Sequence, residues 1–165
     1  MKECQKAVHT FEPVYNQESK LLILGSFPSV KSREAGFYYY HPQNRFWKML
    51  AKLFDEPLPK SIEEKKELLL RHHIAVWDVI ASCEIAGSSD SSIKNVTPVD
   101  IKKVLSVAPI GKILTNGATA DNLYRRHLFP LTKIEAVRLP STSPANAAFS
   151  LERLCEIWGE ELLQN

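Results

Sequence analysis

Long apolar runs are missing from this chain. No stretch approaches the roughly 18 consecutive apolar residues of a membrane-spanning helix, and the opening MKECQKAVHTF has no apolar core of signal-peptide length. Cysteine is sparse: Cys4, Cys83 and Cys155 lie far apart and form no C-x-x-C pair, which excludes a disulfide framework and a zinc knuckle. A reducing, cytoplasmic setting fits. The glycine-rich fingerprints G-x-G-x-x-G and G-x-x-x-x-G-K-[ST] are absent, as is the G-x-S-x-G elbow, so dinucleotide, nucleotide-triphosphate and serine-hydrolase cradles lack their signatures. His9, His41, His72, His73 and His127 are not spaced as metal ligands, and the His72-His73 pair suits the carboxyl end of a helix. Neither a metal nor a cofactor is expected. Charge of one sign is lacking too, with 21 Lys and Arg against 19 Asp and Glu for a net +2, a balance that tolerates a polyanionic partner without requiring one. Lys102, Lys103, Lys112, Arg125, Arg126, Lys133 and Arg138 concentrate positive charge in 102–138, where one face can meet phosphates and where each single residue also reads as solvated surface.

What is present alternates strand and helix. The run LLILG (Leu21–Gly25) reads as a buried parallel strand, and about twenty residues of connection separate it from a helix over 44–54 whose apolar face is Phe46, Trp47, Leu50, Leu53 and Phe54. Ser61 with Glu64 forms a capping box for the next helix. IAVWDVI (Ile74–Ile80) is the second strand, and the Ser- and Gly-rich residues 81–96 read as a second long loop. Thr97-Pro98 reads as the start of a helix running through Leu105. A third strand, Lys112–Thr115, stops at Asn116-Gly117, and a helix follows to Phe129, closed by Pro130. A fourth strand, Ile134–Leu139, runs into PSTSPANAAFS and a last amphipathic helix over Leu151–Leu162. With 165 residues and 44% hydrophobic content, the expectation is a single domain over 1–165. Its class is α/β: a three-layer αβα sandwich around a four-stranded parallel sheet.

All four carboxyl-end loops then meet on one edge, where open α/β sheets bind ligands. They carry Ser, Asn, Pro and Gly with few charges, and the amides at Ser143–Ala147 read as a helix N-terminus suited to an anion such as phosphate. Within them Asp78 ends an apolar strand, where a carboxylate is rare unless paired or used; it reads equally as an anchor for the loop that follows. Asn44 reads either as a helix cap or as a positioned amide, Asn116 before Gly117 as turn chemistry or a contact, and Tyr38–Tyr40 cannot all pack inward from one extended loop.

GSFPS after the first strand, YYYHPQNRFW opening the next helix and STSPANA after the last strand together resemble the uracil-DNA glycosylase superfamily, nearest its hypoxanthine-DNA glycosylase branch; HPQNRFW is also close to the mismatch-specific uracil branch. The resemblance implies a DNA repair enzyme that flips a deaminated base out of duplex or single-stranded DNA and hydrolyses its N-glycosidic bond, with hypoxanthine preferred, uracil or xanthine as the alternative, and a non-catalytic DNA binder as the reading from another class. It implies Asn44 as the catalytic residue. Phe27 stands where many relatives carry the Asp or Asn that orients water, and Ser141 where they carry a histidine that stabilises departing uracil, so the usual uracil machinery is missing twice. Phe27, Tyr39, Asp78 and Asn116 would contact the base. Ser29, Ser141, Ser143, Pro144, Ala145 and Asn146 would hold the DNA, with Ala145 at the wedge position. No lysine falls within these motifs to form a Schiff base, so a monofunctional glycosylase is implied. A monomer, nucleoid-associated when bound to DNA, completes the expectation.

Overall fold

The computed structural model describes residues 3–163. Strand β1 (Gln5–Val8) is short and largely exposed, and no apolar pattern announces it. Strand β2 (Leu21–Gly25) is the predicted buried run, with Leu22, Ile23 and Leu24 fully enclosed. The long connection after it is not open loop throughout. It holds a helix, α1 (Val30–Ala35), bracketed by Ser29, whose hydroxyl accepts the Ser32 N–H, and by Gly36 at φ +73°, whose N–H reaches Ser32 O. Those are ordinary cap residues; a six-residue helix without an apolar stripe leaves only its caps to be seen.

Helix α2 (Phe46–Leu53) buries Phe46, Trp47, Met49 and Leu50, and α3 (Ile62–Arg71) starts at Ser61, whose side chain accepts the Glu64 N–H as the capping box requires. Strand β3 (Ile74–Asp78) is buried at every position. The expected loop over 81–96 is instead a hairpin of β4 (Ile80–Ala86) and β5 (Ser89–Pro98), which joins β1 in a three-stranded antiparallel sheet ordered β1-β4-β5. Its inner positions Ile80, Cys83 and Ile85 pack with Phe27 into a small second core, while the serines face outward. Thr97 and Pro98 likewise end a strand rather than start a helix. Pairing of Ile80 with Pro98 and the Val99 N–H bond to Val79 O override the local cap chemistry, and helix α4 (Lys102–Leu105) begins later, with Asp100 Oδ1 accepting the Lys102 N–H.

Strand β6 (Lys112–Asn116) leads into α5 (Ala118–His127). Pro130 does not close that helix; it sits in the first turn of α6 (Phe129–Thr132), where a missing N–H costs nothing. Strand β7 (Ala136–Leu139) is shorter than expected, and α7 (Leu151–Leu162) ends the chain on Leu154 and Trp158.

The main sheet is four-stranded and parallel, ordered β3-β2-β6-β7 and flanked by helices, as the alternation implied. Trp158, fully enclosed, meets Phe46 edge-on at 6.3 Å and donates its indole N–H to Pro140 O at 2.9 Å. That contact pins the last helix against the first motif helix, and truncating such an aromatic costs about 3–5 kcal/mol. The registers Gly25 to Asp78 and Asn116 to Leu139, with Leu24 opposite Thr115, bring the four strand ends level on one edge.

Candidate active site

Those four strand ends floor a cleft of about 1020 Å³. Every site residue named from the sequence lines it: Phe27, Ser29, Tyr39, Asn44, Asp78, Asn116, Ser141, Ser143, Pro144, Ala145 and Asn146. Ser88–Ser91 from the tip of the second sheet and Arg138 from β7 complete the rim. The basic stretch 102–138 does not form one phosphate face. Lys103 pairs with Glu12, Lys112 with Glu161, and Arg125 with Asp121 and Glu135, leaving Arg138 as its representative at the cleft.

Asp78 sits at the floor, its side chain 4% exposed. It does not tie down the following segment through backbone amides; its Oδ2 accepts from His9 Nε2 at 2.8 Å, and His9 is equally buried. His9 was not singled out from sequence, because it follows β1 and meets Asp78 only through the second sheet, where its backbone N–H bonds Ala81 O. Phe11 at 4.4 Å, Tyr38 at 5.8 Å and Phe27 at 6.3 Å box its ring. Gly25 is required here: a Cβ would collide with Asp78 Oδ1 and lie 3.0 Å from Tyr39 Oη.

The three tyrosines divide three ways. Tyr38 is buried and donates to Glu12 O at 2.9 Å. Tyr39 takes a left-handed backbone at φ +50°, sets its ring 4.2 Å from Phe46 and carries its hydroxyl into the floor. Tyr40 is 42% exposed, with Lys65 Nζ 4.6 Å above its ring. The Tyr39 hydroxyl is buried without a hydrogen-bond partner; the Asn116 amide is close enough to ease its ionisation but not to bond it. Burial first, and the Asp78 carboxylate second, push its pKa well above the ordinary phenol value and keep it a neutral donor.

Asn44 is not the N-cap of α2, which is Arg45; it stands one residue earlier, and its Oδ1 accepts the Phe46 N–H at 2.9 Å in an Asx-type turn at the helix start. That bond uses one of two lone pairs and fixes the amide plane, leaving the other lone pair and the NH2 group for the cleft. Asn116 is likewise engaged, donating from Nδ2 to Thr142 Oγ1 at 3.1 Å and accepting the Thr142 N–H at 3.0 Å. Ser29 caps α1. Phe27 is held from behind by the hairpin and by Arg33, 5.4 Å from its ring centre.

The loop over 141–149 is not the helix N-terminus expected at Ser143–Ala147. Three of its amides are already bonded within the loop: Ser143 N–H to Ser141 Oγ, Ala145 N–H to Ser143 Oγ, and Asn146 N–H to Ser143 O. Both serine hydroxyls therefore accept from the backbone and have their own protons to give. Arg45 clamps the loop from below, donating to Ser143 O at 2.8 Å, to Asn146 O at 3.0 Å and to Phe149 O, while its backbone N–H reaches Thr142 O. Only its adjacency to Asn44 in HPQNR hints at this. Asp90, also missed, accepts a hydrogen bond from the Ser26 hydroxyl at 3.1 Å. Although open to solvent on one side, its carboxyl is raised above the usual range by the protein around it, with the Ser26 bond opposing and Asp78 adding to the shift.

Among the described residues no group of three or more His, Cys, Asp or Glu is arranged to hold a metal, and no helix is long and apolar enough to cross a membrane. A parallel sheet with a polar cleft at its carboxyl edge is the arrangement in which open α/β proteins bind their ligands, at the switch point of the strand order. The family model of the uracil DNA glycosylase superfamily matches residues 12–160, and the chain belongs to that family. A hypoxanthine DNA glycosylase of Methanosarcina acetivorans is 34% identical over 151 residues, covering 88% of this chain and 92% of its own length. A second, from Methanosarcina barkeri, is 34% identical over 109 residues, 65% of this chain and 69% of its own. The solution NMR structure of a candidate uracil DNA glycosylase from Methanosarcina acetivorans matches with a TM-score of 0.78 at 31% identity, covering 93% of this chain and 97% of that one.

Proposed function

We propose that this protein is a monofunctional DNA glycosylase that releases hypoxanthine from deoxyinosine. The observation that carries the reading is the pairing of an amide, Asn44, with a buried carboxylate, Asp78, in a cleft whose usual uracil residues are replaced by Phe27 and Ser141, in a chain one third identical to hypoxanthine DNA glycosylases over most of its length. In the reaction C1′–N9 breaks, a C1′–O bond forms to water, and the base leaves with a proton. The transition state is oxocarbenium-like, so the protein must expel the base from the stack, hold it and present water to C1′. The free lone pair of Asn44 Oδ1 holds that water. Asp78 Oδ1 accepts the N1–H of hypoxanthine at the floor, and the Tyr39 ring walls the base.

On the DNA side, the outward protons of Ser141 and Ser143 bond phosphate oxygens, Arg138 adds a charge, and Ala145, exposed at the loop, fills the gap left by the flipped nucleotide. The test is a base-release assay on matched duplexes carrying one deoxyinosine, deoxyuridine or deoxyxanthosine. Free hypoxanthine without strand cleavage, unaffected by chelator, is the expected product. A clear preference for uracil or xanthine, or loss of activity with chelator, would overturn the reading.

A further inference from the structure

Asp78 is half used. His9 takes Oδ2, whereas Oδ1 has no hydrogen-bond partner among the described residues and faces the space kept open by Gly25. The Tyr39 hydroxyl, unpartnered and buried, stands on the same spot: both atoms crowd the position where a Gly25 Cβ would be. An acceptor without a donor and a donor without an acceptor thus share one corner of the cleft. A buried hydroxyl is seldom left so, and Oδ1 beside it is open to the cleft. A 6-oxopurine presents the complementary edge, an N1–H donor beside the O6 acceptor, and adenine presents the reverse.

We infer that Asp78 Oδ1 and Tyr39 Oη are the pair that reads this lactam edge, and that His9 is the positioning residue that locks the pair in that polarity. The inference rests on the cleft being the base pocket proposed above. His9 acts through three properties of one contact. Its Nε2–H fixes the carboxylate plane, so that Oδ1 turns toward Tyr39. It compensates the buried charge, so that Asp78 remains an acceptor only. Its aromatic box, contributed by Phe11, Tyr38 and Phe27, prevents the ring from turning away. Without it, a carboxyl in this enclosure has no partner and takes up a proton; Oδ1 or Oδ2 then carries an O–H, and the edge that rejects adenine no longer does.

The groups that face Asp78 are few: His9 just past β1, Tyr38 and Tyr39 from the segment before α2, and Asp90 from β5, whose own ionisation Asp78 opposes. Gly25 on β2 offers none. The tyrosines stay neutral through the working range because burial raises both. Asp90 is coupled to Asp78, and repeating each profile in an Asp90→Asn background removes its contribution.

Single-turnover release of hypoxanthine is followed from mildly acidic to mildly alkaline pH in His9→Phe, which keeps a flat ring in the aromatic box, and in His9→Gln, which returns an N–H near the Nε2 position. His9→Phe should fall by at least about tenfold near neutral pH, one protonation unit of Asp78 being tenfold, and should recover as pH rises and Asp78 ionises. His9→Gln should stay close to wild type with no such limb. In wild type, N1-methyl-deoxyinosine, which has no N1–H to give, should react on the order of a hundredfold more slowly than deoxyinosine, and Tyr39→Phe should slow deoxyinosine while leaving the pH profile in place. A folded His9→Phe with the wild-type rate and profile, or one depressed equally at every pH, overturns the role of His9. Equal wild-type rates on the two inosines overturn the reading pair whichever variants fold. Failure of the function itself looks different. If wild type releases uracil and not hypoxanthine, the same pair faces N3–H and O4, and the pH limb of His9→Phe is read on uracil.

Discussion

Replacing Asn44 separates a helix-start contact from the catalytic role proposed for it, because both tasks fall to one side chain. Its Oδ1 bond to the Phe46 N–H is an ordinary helix-start contact, and Asn44→Ala should cost about 0.5–1.5 kcal/mol, a fall in melting temperature of roughly 1–6 °C for a chain of this size. Against a typical stability of about 5–15 kcal/mol, nearly every molecule remains folded. Unfolding therefore accounts for only a small fraction of any lost rate. Loss of a preorganised polar group aimed at the reaction centre is expected to slow base release by about 10²–10³. Asn44→Ser makes the distinction sharp. Its hydroxyl can accept the same amide and keep that turn, so its stability should lie within about 0.5 kcal/mol of wild type, yet it has no amide to present to water and should be as slow as alanine. Single-turnover release from a deoxyinosine oligonucleotide at saturating protein, thermal melts and binding of the uncleaved strand measure the three quantities separately. An Asn44→Ser protein with near wild-type rate would refute the assignment, as would a rate that merely tracks the folded fraction of Asn44→Ala.

Three further outcomes follow from the same geometry. Gly25→Ala places a methyl group against Asp78 Oδ1; overpacking of this kind costs about 1–3 kcal/mol, and Gly25→Ala combined with Asp78→Gly should recover stability in denaturant titrations without recovering base release. Arg45→Met removes three charge-assisted bonds to loop carbonyls and should destabilise by about 1.5–3 kcal/mol or more, with weakened DNA binding; Arg45→Lys, lacking the planar fork, should recover only part of both. Since Ala145 is a small wedge and unstacking costs a few kcal/mol per step, release should be faster from single strands and weak mismatches than from a stable inosine–cytosine pair. Ala145→Leu should narrow that gap, and equal single-turnover rates across the four inosine pairs and single strands would place the wedge elsewhere.

The central sheet was legible because its strands are buried on both faces and so read as unbroken apolar runs, LLILG and IAVWD. The second sheet was hidden by its composition. Only Ile80, Cys83 and Ile85 face inward on β4, and the outward serines look like loop, although Gly87-Ser88 between the two strands, with Gly87 at φ +61°, is a hairpin signal in plain view. At Thr97-Pro98 the expected helix start is a strand end instead: the local preference for a cap loses to pairing with β4, a tertiary effect that no local pattern carries. The site divides in the same way. Asn44, Asp78 and the loop residues around Ser141 could be named because they sit in short motifs at strand ends. His9 could not, since 69 residues of chain separate it from the carboxylate it holds, and neither could the loop-internal bonds that occupy the Ser143 and Ala145 amides.

The tyrosine triplet has a genetic consequence. Deleting any one of Tyr38, Tyr39 or Tyr40 yields the same polypeptide, so three distinct lesions collapse into a single phenotype, and two identical residues are left for three posts: the core anchor on Glu12, the cleft hydroxyl and the exposed ring under Lys65. The shortening also draws HPQN toward GSFPS by up to about 3.3–3.6 Å of extended chain, so restoring a third tyrosine elsewhere in the segment does not restore the frame. A substitution at one of the three positions, by contrast, removes one post and leaves the spacing intact.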